Sequence, residues 1–74
     1  MNLKDPKILE KAAAYLRHRG DRPILVGPFA VHLGAVTVED AEELLLDLCD
    51  QGKVRLMSEA DRARFGVPYG YLAV

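Results

Sequence analysis

Apolar positions follow two rhythms along this chain. Over residues 8–16 they fall at helical spacing, with Ile8, Leu9, Ala12, Ala13 and Leu16 on one stripe and Lys7, Lys11, Ala14 and Arg17 mostly outside it. The pattern predicts a first helix. Asp5 can cap it, and Pro6 suits its first position. Arg17, His18 and Arg19 fill its last turn, where positive charge favours the helix dipole, and Gly20 is its natural stop. Residues 23–26 are a short apolar run between turn formers and predict a small strand. Gly27-Pro28 then opens a short second helix, with Phe29, Ala30 and Leu33 inward and Gly34 at its end. Ala35-Val36 makes a turn. Thr37 caps a third helix, with Asp40 three residues on as a relative of the capping box.

After Gln51-Gly52 the period changes. Residues 53–57 alternate as a half-buried strand does, with Val54 and Leu56 directed to the core. Residues 58–68 predict a polar loop, its first four suited to a single helical turn. Residues 69–74 return as a strand, with Leu72 and Val74 on one side and Tyr69 and Tyr71 on the other. These tyrosines are expected either to pair across the hairpin with Arg55 or Met57, or to stand exposed for a homodimer or partner contact. The returning strand is expected to be a sheet edge, open to another chain. The order is helix, strand, helix, helix, strand, strand: an α+β fold in one domain over residues 1–74.

The stretch FAVHLGAVTVEDAEELLLDLCDQGKV resembles the winged helix-turn-helix superfamily. Leu33-Gly34 ends the short helix, Leu48 precedes Gly52 by four residues, and Val54 begins the wing. The glycine-to-glycine spacing is one residue longer than in the commonest version, which stretches a turn. The resemblance implies a small winged helix, three helices with a C-terminal hairpin wing. It also implies DNA binding, with the third helix in the major groove and the wing at phosphate or the minor groove.

The third helix carries the wrong charge for that task. Residues 38–51 hold Glu39, Asp40, Glu42, Glu43, Asp47 and Asp50 and no Lys or Arg. At about 100° per residue, Ala41, Leu44, Leu45 and Leu48 form a core face, with Val38 and Cys49 at its edge. Glu39, Glu42, Glu43, Leu46 and Asp50 stand opposite. Duplex DNA carries about one negative charge per 1.7 Å of axis, and its binders gain affinity by replacing counterions with Lys or Arg. The expected function is therefore a non-catalytic adaptor or regulator that binds another protein, one with a basic surface, through these five residues. Interfaces commonly set apolar anchors inside polar rims. A merely solvated acidic face is the plain alternative. The functional alternative is a DNA-binding transcriptional regulator using Lys53, Arg55, Arg62 and Arg64 of the wing. It would add the cations Lys4, Lys7, Lys11, Arg17, Arg19 and Arg22 around the first helix.

Bulk properties narrow the field. Ten basic against eleven acidic residues in 74 give a formal charge of -1, where dedicated nucleic-acid binders are usually basic. A single cysteine, Cys49, excludes an intramolecular disulfide and reads as a small buried hydrophobe. His18 and His32 show no metal-ligand spacing, Ser58 is the only serine and fits a cap, and no phosphate-binding GxxxxGK[ST] occurs. No enzyme, metal or cofactor is expected. There is no run of about 18 apolar residues and no apolar leader, so a cytoplasmic protein without a membrane partner is expected. The initial Met and apolar YLAV end suggest a complete short reading frame.

Overall fold

A computed structural model describes residues 5–34 and 36–74. Among these residues the elements are α1 (Pro6–Arg19), α2 (Val26–Leu33), α3 (Val38–Asp50), β1 (Val54–Leu56), α4 (Glu59–Phe65) and β2 (Tyr71–Ala73). The fold is α+β: four helices and a small antiparallel sheet in which Val54 faces Ala73, Arg55 faces Leu72 and Leu56 faces Tyr71. Ala35, assigned above to a turn, and Lys4, counted among the cations, lie outside the described residues.

The helix ends are built as the sequence implies. The Asp5 carboxylate accepts from the Lys7 N–H at 2.9 Å, and Pro6 follows it in the first turn. At the far end Arg19 donates from Nε and Nη2 to the Pro23 carbonyl at 3.1 and 2.6 Å. Arg22 reaches back to the carbonyls of His18 and Arg19. Arg19 of α1 and Arg22 just beyond it are thus engaged in turning the chain. Gly34 ends α2 at φ 95°, ψ −121°, a conformation that any Cβ would strain, and donates to the carbonyls of Ala30 and Val31. Thr37 caps α3 by accepting from the Asp40 N–H at 3.1 Å.

The core joins Ile8 and Ala12 of α1, Ile24, Phe29, Ala30 and Leu33 around α2, Ala41, Leu44, Leu45 and Leu48 of α3, and Val54 and Tyr71 of the sheet. Several sequence expectations need correction against it. The α1 stripe is narrower than predicted: Ile8 and Ala12 are buried and Leu16 half-buried, but Leu9 and Ala13 are exposed. They flank a groove toward Leu48, Gln51 and Lys53, because no further helix among the described residues covers that side.

Residues 23–26 do not form a strand. Ile24 alone bridges Tyr71, with N–H to O distances of 2.7 and 2.9 Å, and α2 starts at Val26, before Gly27-Pro28. A first-turn proline leaves no intrahelical hydrogen bond missing, so the helix can begin ahead of it. This bridge also corrects the expectation of a free returning strand: at Tyr71, β2 is held between Ile24 and β1.

Leu56, expected in the core, is 53% exposed. Val54 packs where α3 hands the chain to the sheet. Leu56, two residues and about 7 Å further along the strand, extends beyond that packing. Met57 is buried in its place, on the opposite face, beside Gly70. Tyr71, expected with Tyr69 on an outer side, is fully buried and lies opposite Leu56 instead of Arg55 or Met57. Val74 is exposed. The predicted loop over residues 58–68 holds the fourth helix, α4, two turns long and closed at Gly66 in the left-handed conformation.

Candidate functional site

The exposed face of α3 is set by what its other face buries. Ala41, Leu44, Leu45 and Leu48 are all buried, as their spacing requires. Glu39, Glu43, Leu46, Asp47 and Asp50 are exposed, and Glu42 and Asp40 half-buried. Leu46 is 52% exposed, with Glu42, Glu43 and Asp50 at helical neighbour positions and Glu39 two turns back on the same face. The structure brings together all five residues singled out on this helix. Val38, at the helix start and at the edge of the core face, is also 51% exposed. Cys49 is half-buried at the edge; burial, then the charge of Asp50, pushes its thiol pKa up, which disfavours the reactive thiolate.

Behind this face stands a feature that the sequence did not disclose. The Tyr71 hydroxyl lies 3.0 Å from that of Tyr69, and the two rings meet edge to face at 5.7 Å. Burial, then the hydrogen bond with Tyr69, raises the Tyr71 pKa well above its ordinary value, with Glu42 adding to the effect. The pair is local to the returning strand and its approach, and Glu42 of α3 lies near enough for its charge to act on Tyr71. Alternation in residues 69–74 placed the two tyrosines on one side; packing buries Tyr71 there and Leu72 on the other, and leaves Tyr69 exposed.

Of the cations Lys53, Arg55, Arg62 and Arg64, Arg55 is engaged within the chain. Arg55 forms a two-pronged ion pair with Asp61, at 2.5 and 3.4 Å. Asp61 also accepts from the backbone N–H and the hydroxyl of Ser58, each at 2.9 Å, which completes a capping box at the start of α4. Arg55, then the two Ser58 donors, hold the Asp61 carboxyl well below the usual carboxylate range. Lys53, Arg62 and Arg64 are exposed; the Arg64 guanidinium lies 5.0 Å from the Phe65 ring centroid. On α1, Lys7, Lys11 and Arg17 are exposed around Ala14, with Glu10 among them.

His32 is exposed, with its ring 4.8 Å from that of Tyr15. Among the described residues, no cluster of three or more His, Cys, Asp or Glu side chains has metal-binding geometry, and no helix is long and apolar enough to cross a membrane.

Comparison with known proteins adds little chemistry. The chain is 41% identical over 64 residues to Protein DOG1-like 3 of Arabidopsis thaliana, a match covering 84% of this chain and 21% of that protein. The chain therefore spans about a fifth of the length of the curated relative that it matches. No protein-family profile matches the chain. No solved structure matches it either. The relative's name specifies no ligand or reaction, so function must be read from the surface of this molecule.

Proposed function

We propose that this chain is a small non-catalytic winged helix-turn-helix module. It acts as an adaptor or regulator that binds another protein through the outward face of α3. The winged-helix assignment is supported by the order α1, bridging residue Ile24, α2, α3 and an antiparallel pair closing on Ile24. The helix α4 within the hairpin departs from the simple wing. A cytoplasmic role in gene regulation or nucleic-acid machinery accompanies the assignment by analogy of fold alone.

The carrying observation is the half-exposed Leu46 among Glu39, Glu42, Glu43 and Asp50, on a helix without a cation. Its chemistry fits a basic protein surface with an apolar recess. Selection from an unbiased peptide-display library against the folded chain tests the proposal. Binders are expected to carry an apolar residue flanked by Lys or Arg, and Leu46→Arg should release them while leaving the fold intact. Binders that hold Leu46→Arg as tightly as the parent would overturn it.

The second reading is a DNA-binding regulator contacting phosphate through Lys53, Arg62 and Arg64, with α1 cations assisting. The exposure of Arg62 and Arg64 near the end of α4 favours it. Arg55 would have to leave Asp61 to join them. Such binding would be weak and strongly salt-dependent.

A further inference from the structure

The charges of this molecule nearly cancel in sum but are sorted by helix. α1 holds Lys7, Lys11, Arg17 and Arg19 against Glu10, four cations less one acid, or +3. α3 holds six acids and no cation, or -6. Both outward faces are solvent-exposed, and both carry the same spacing. On α1 the stripe is Lys7, Lys11, Ala14, His18; on α3 it is Glu39, Glu43, Leu46, Asp50. In each, successive members are four, three and four residues apart, a stripe of about 17 Å at helical rise. The small Ala14 floors a shallow depression lined by Lys7, Glu10, Lys11 and Arg17. Leu46 projects from the acidic stripe at the corresponding place.

We propose that the partner of α3 is a second copy of this chain, whose α1 receives it. Leu46 seats over Ala14, and Glu39 and Glu43 meet Lys7 and Lys11. The proposal rests on the reading of α3 as a protein-docking face and names its occupant. Charge complementarity selects that occupant. The two stripes point outward from one packed domain, so they meet only between molecules. A formal charge of -1 leaves little net repulsion between copies. The contact joins unlike surfaces, so it closes as a ring or propagates, instead of stopping at a self-paired dimer face.

Sedimentation equilibrium of the full chain tests it, from roughly 1 µM to 1 mM protein and in about 50 and 500 mM salt. The parent should gain mass with concentration at low salt and lose it at high salt. Lys7→Glu with Lys11→Glu, and separately Glu39→Lys with Glu43→Lys, should each weaken association at least about tenfold. All four residues are exposed, and unchanged thermal melts verify the fold. Mixing the two variants should restore association, because each then supplies the face that the other has lost. A parent that stays monomeric throughout, variants that associate like the parent, or a mixture that does not recover would overturn the inference. The display-selected basic peptides separate its failure from that of the docking face. If they still bind α3 of a chain that does not self-associate, only the second-copy partner is wrong; if they do not bind, both claims fall.

Discussion

At the scale of single residues, two side chains illustrate how neighbours decide what a titratable group does. Asp61 is depressed by Arg55 and by the Ser58 donors. A lowered folded pKa contributes stability above the unfolded value and loses it as pH falls through the folded one. Thermal melts should therefore show the parent losing its advantage over Asp61→Asn as pH drops below the ordinary aspartate range, about 4. Ser58→Ala should cost about 1 kcal/mol through the lost cap, read as a shifted denaturation midpoint. Tyr71 has the opposite sign. Its pKa is raised, so its contribution is present below the ordinary value of 10.0 and declines above it. Alkaline denaturation should be steeper in the parent than in Tyr71→Phe. Gly70 answers to space instead of charge. A Cβ there would sit 3.1 Å from Leu25 Cδ2 and Met57 Sδ and 3.2 Å from the Ile24 carbonyl oxygen. Gly70→Ala should destabilise by about 1–3 kcal/mol in chemical denaturation, since the backbone carbonyl cannot yield as a side-chain tip can.

At the scale of elements, α3 was legible and α4 was not. The third helix combines a threonine cap with apolar residues at Ala41, Leu44, Leu45 and Leu48, and a strong local signal of this kind survives folding unchanged. Neighbouring leucines on it should behave oppositely. Leu45→Ala should cost about 2–5 kcal/mol, a large share of a small domain's stability, whereas Leu46→Arg should shift unfolding by no more than about 0.5 kcal/mol. Denaturant titration of both variants checks the contrast. α4 lacks a buried face: Glu59–Phe65 contains no buried residue, so no apolar stripe marked it. Its visible signal was the Ser58–Asp61 capping box, read as a single turn. The alternation in β1 misled at Leu56 because it gives the two faces but not where the core ends.

At the scale of the whole molecule, charge distribution matters more than net charge. Generic duplex DNA at low salt should leave the amide resonances of α3 in place. If the chain touches nucleic acid, shifts should gather at Lys53, Arg62 and Arg64 and fade steeply as salt rises. Shifts along α3 would contradict the assignment of its face to protein.

The sequence by itself determined the helices with caps and amphipathic stripes, the inward leucines of α3 and the sign of its outward face. Those features depend on residues within a turn or two of one another, so local spacing encodes them. Tertiary structure decided that β2 is buried on both sides, at Tyr71 and Leu72, that Ile24 closes on Tyr71, that Leu56 lies past the core, and that Arg55 is held by Asp61. Each depends on which distant segment comes to lie alongside. It also decided that Lys7, Lys11 and Ala14 are left uncovered among the described residues, which turned scattered cations into a surface with a shape. No spacing along the chain records what another element does or does not cover.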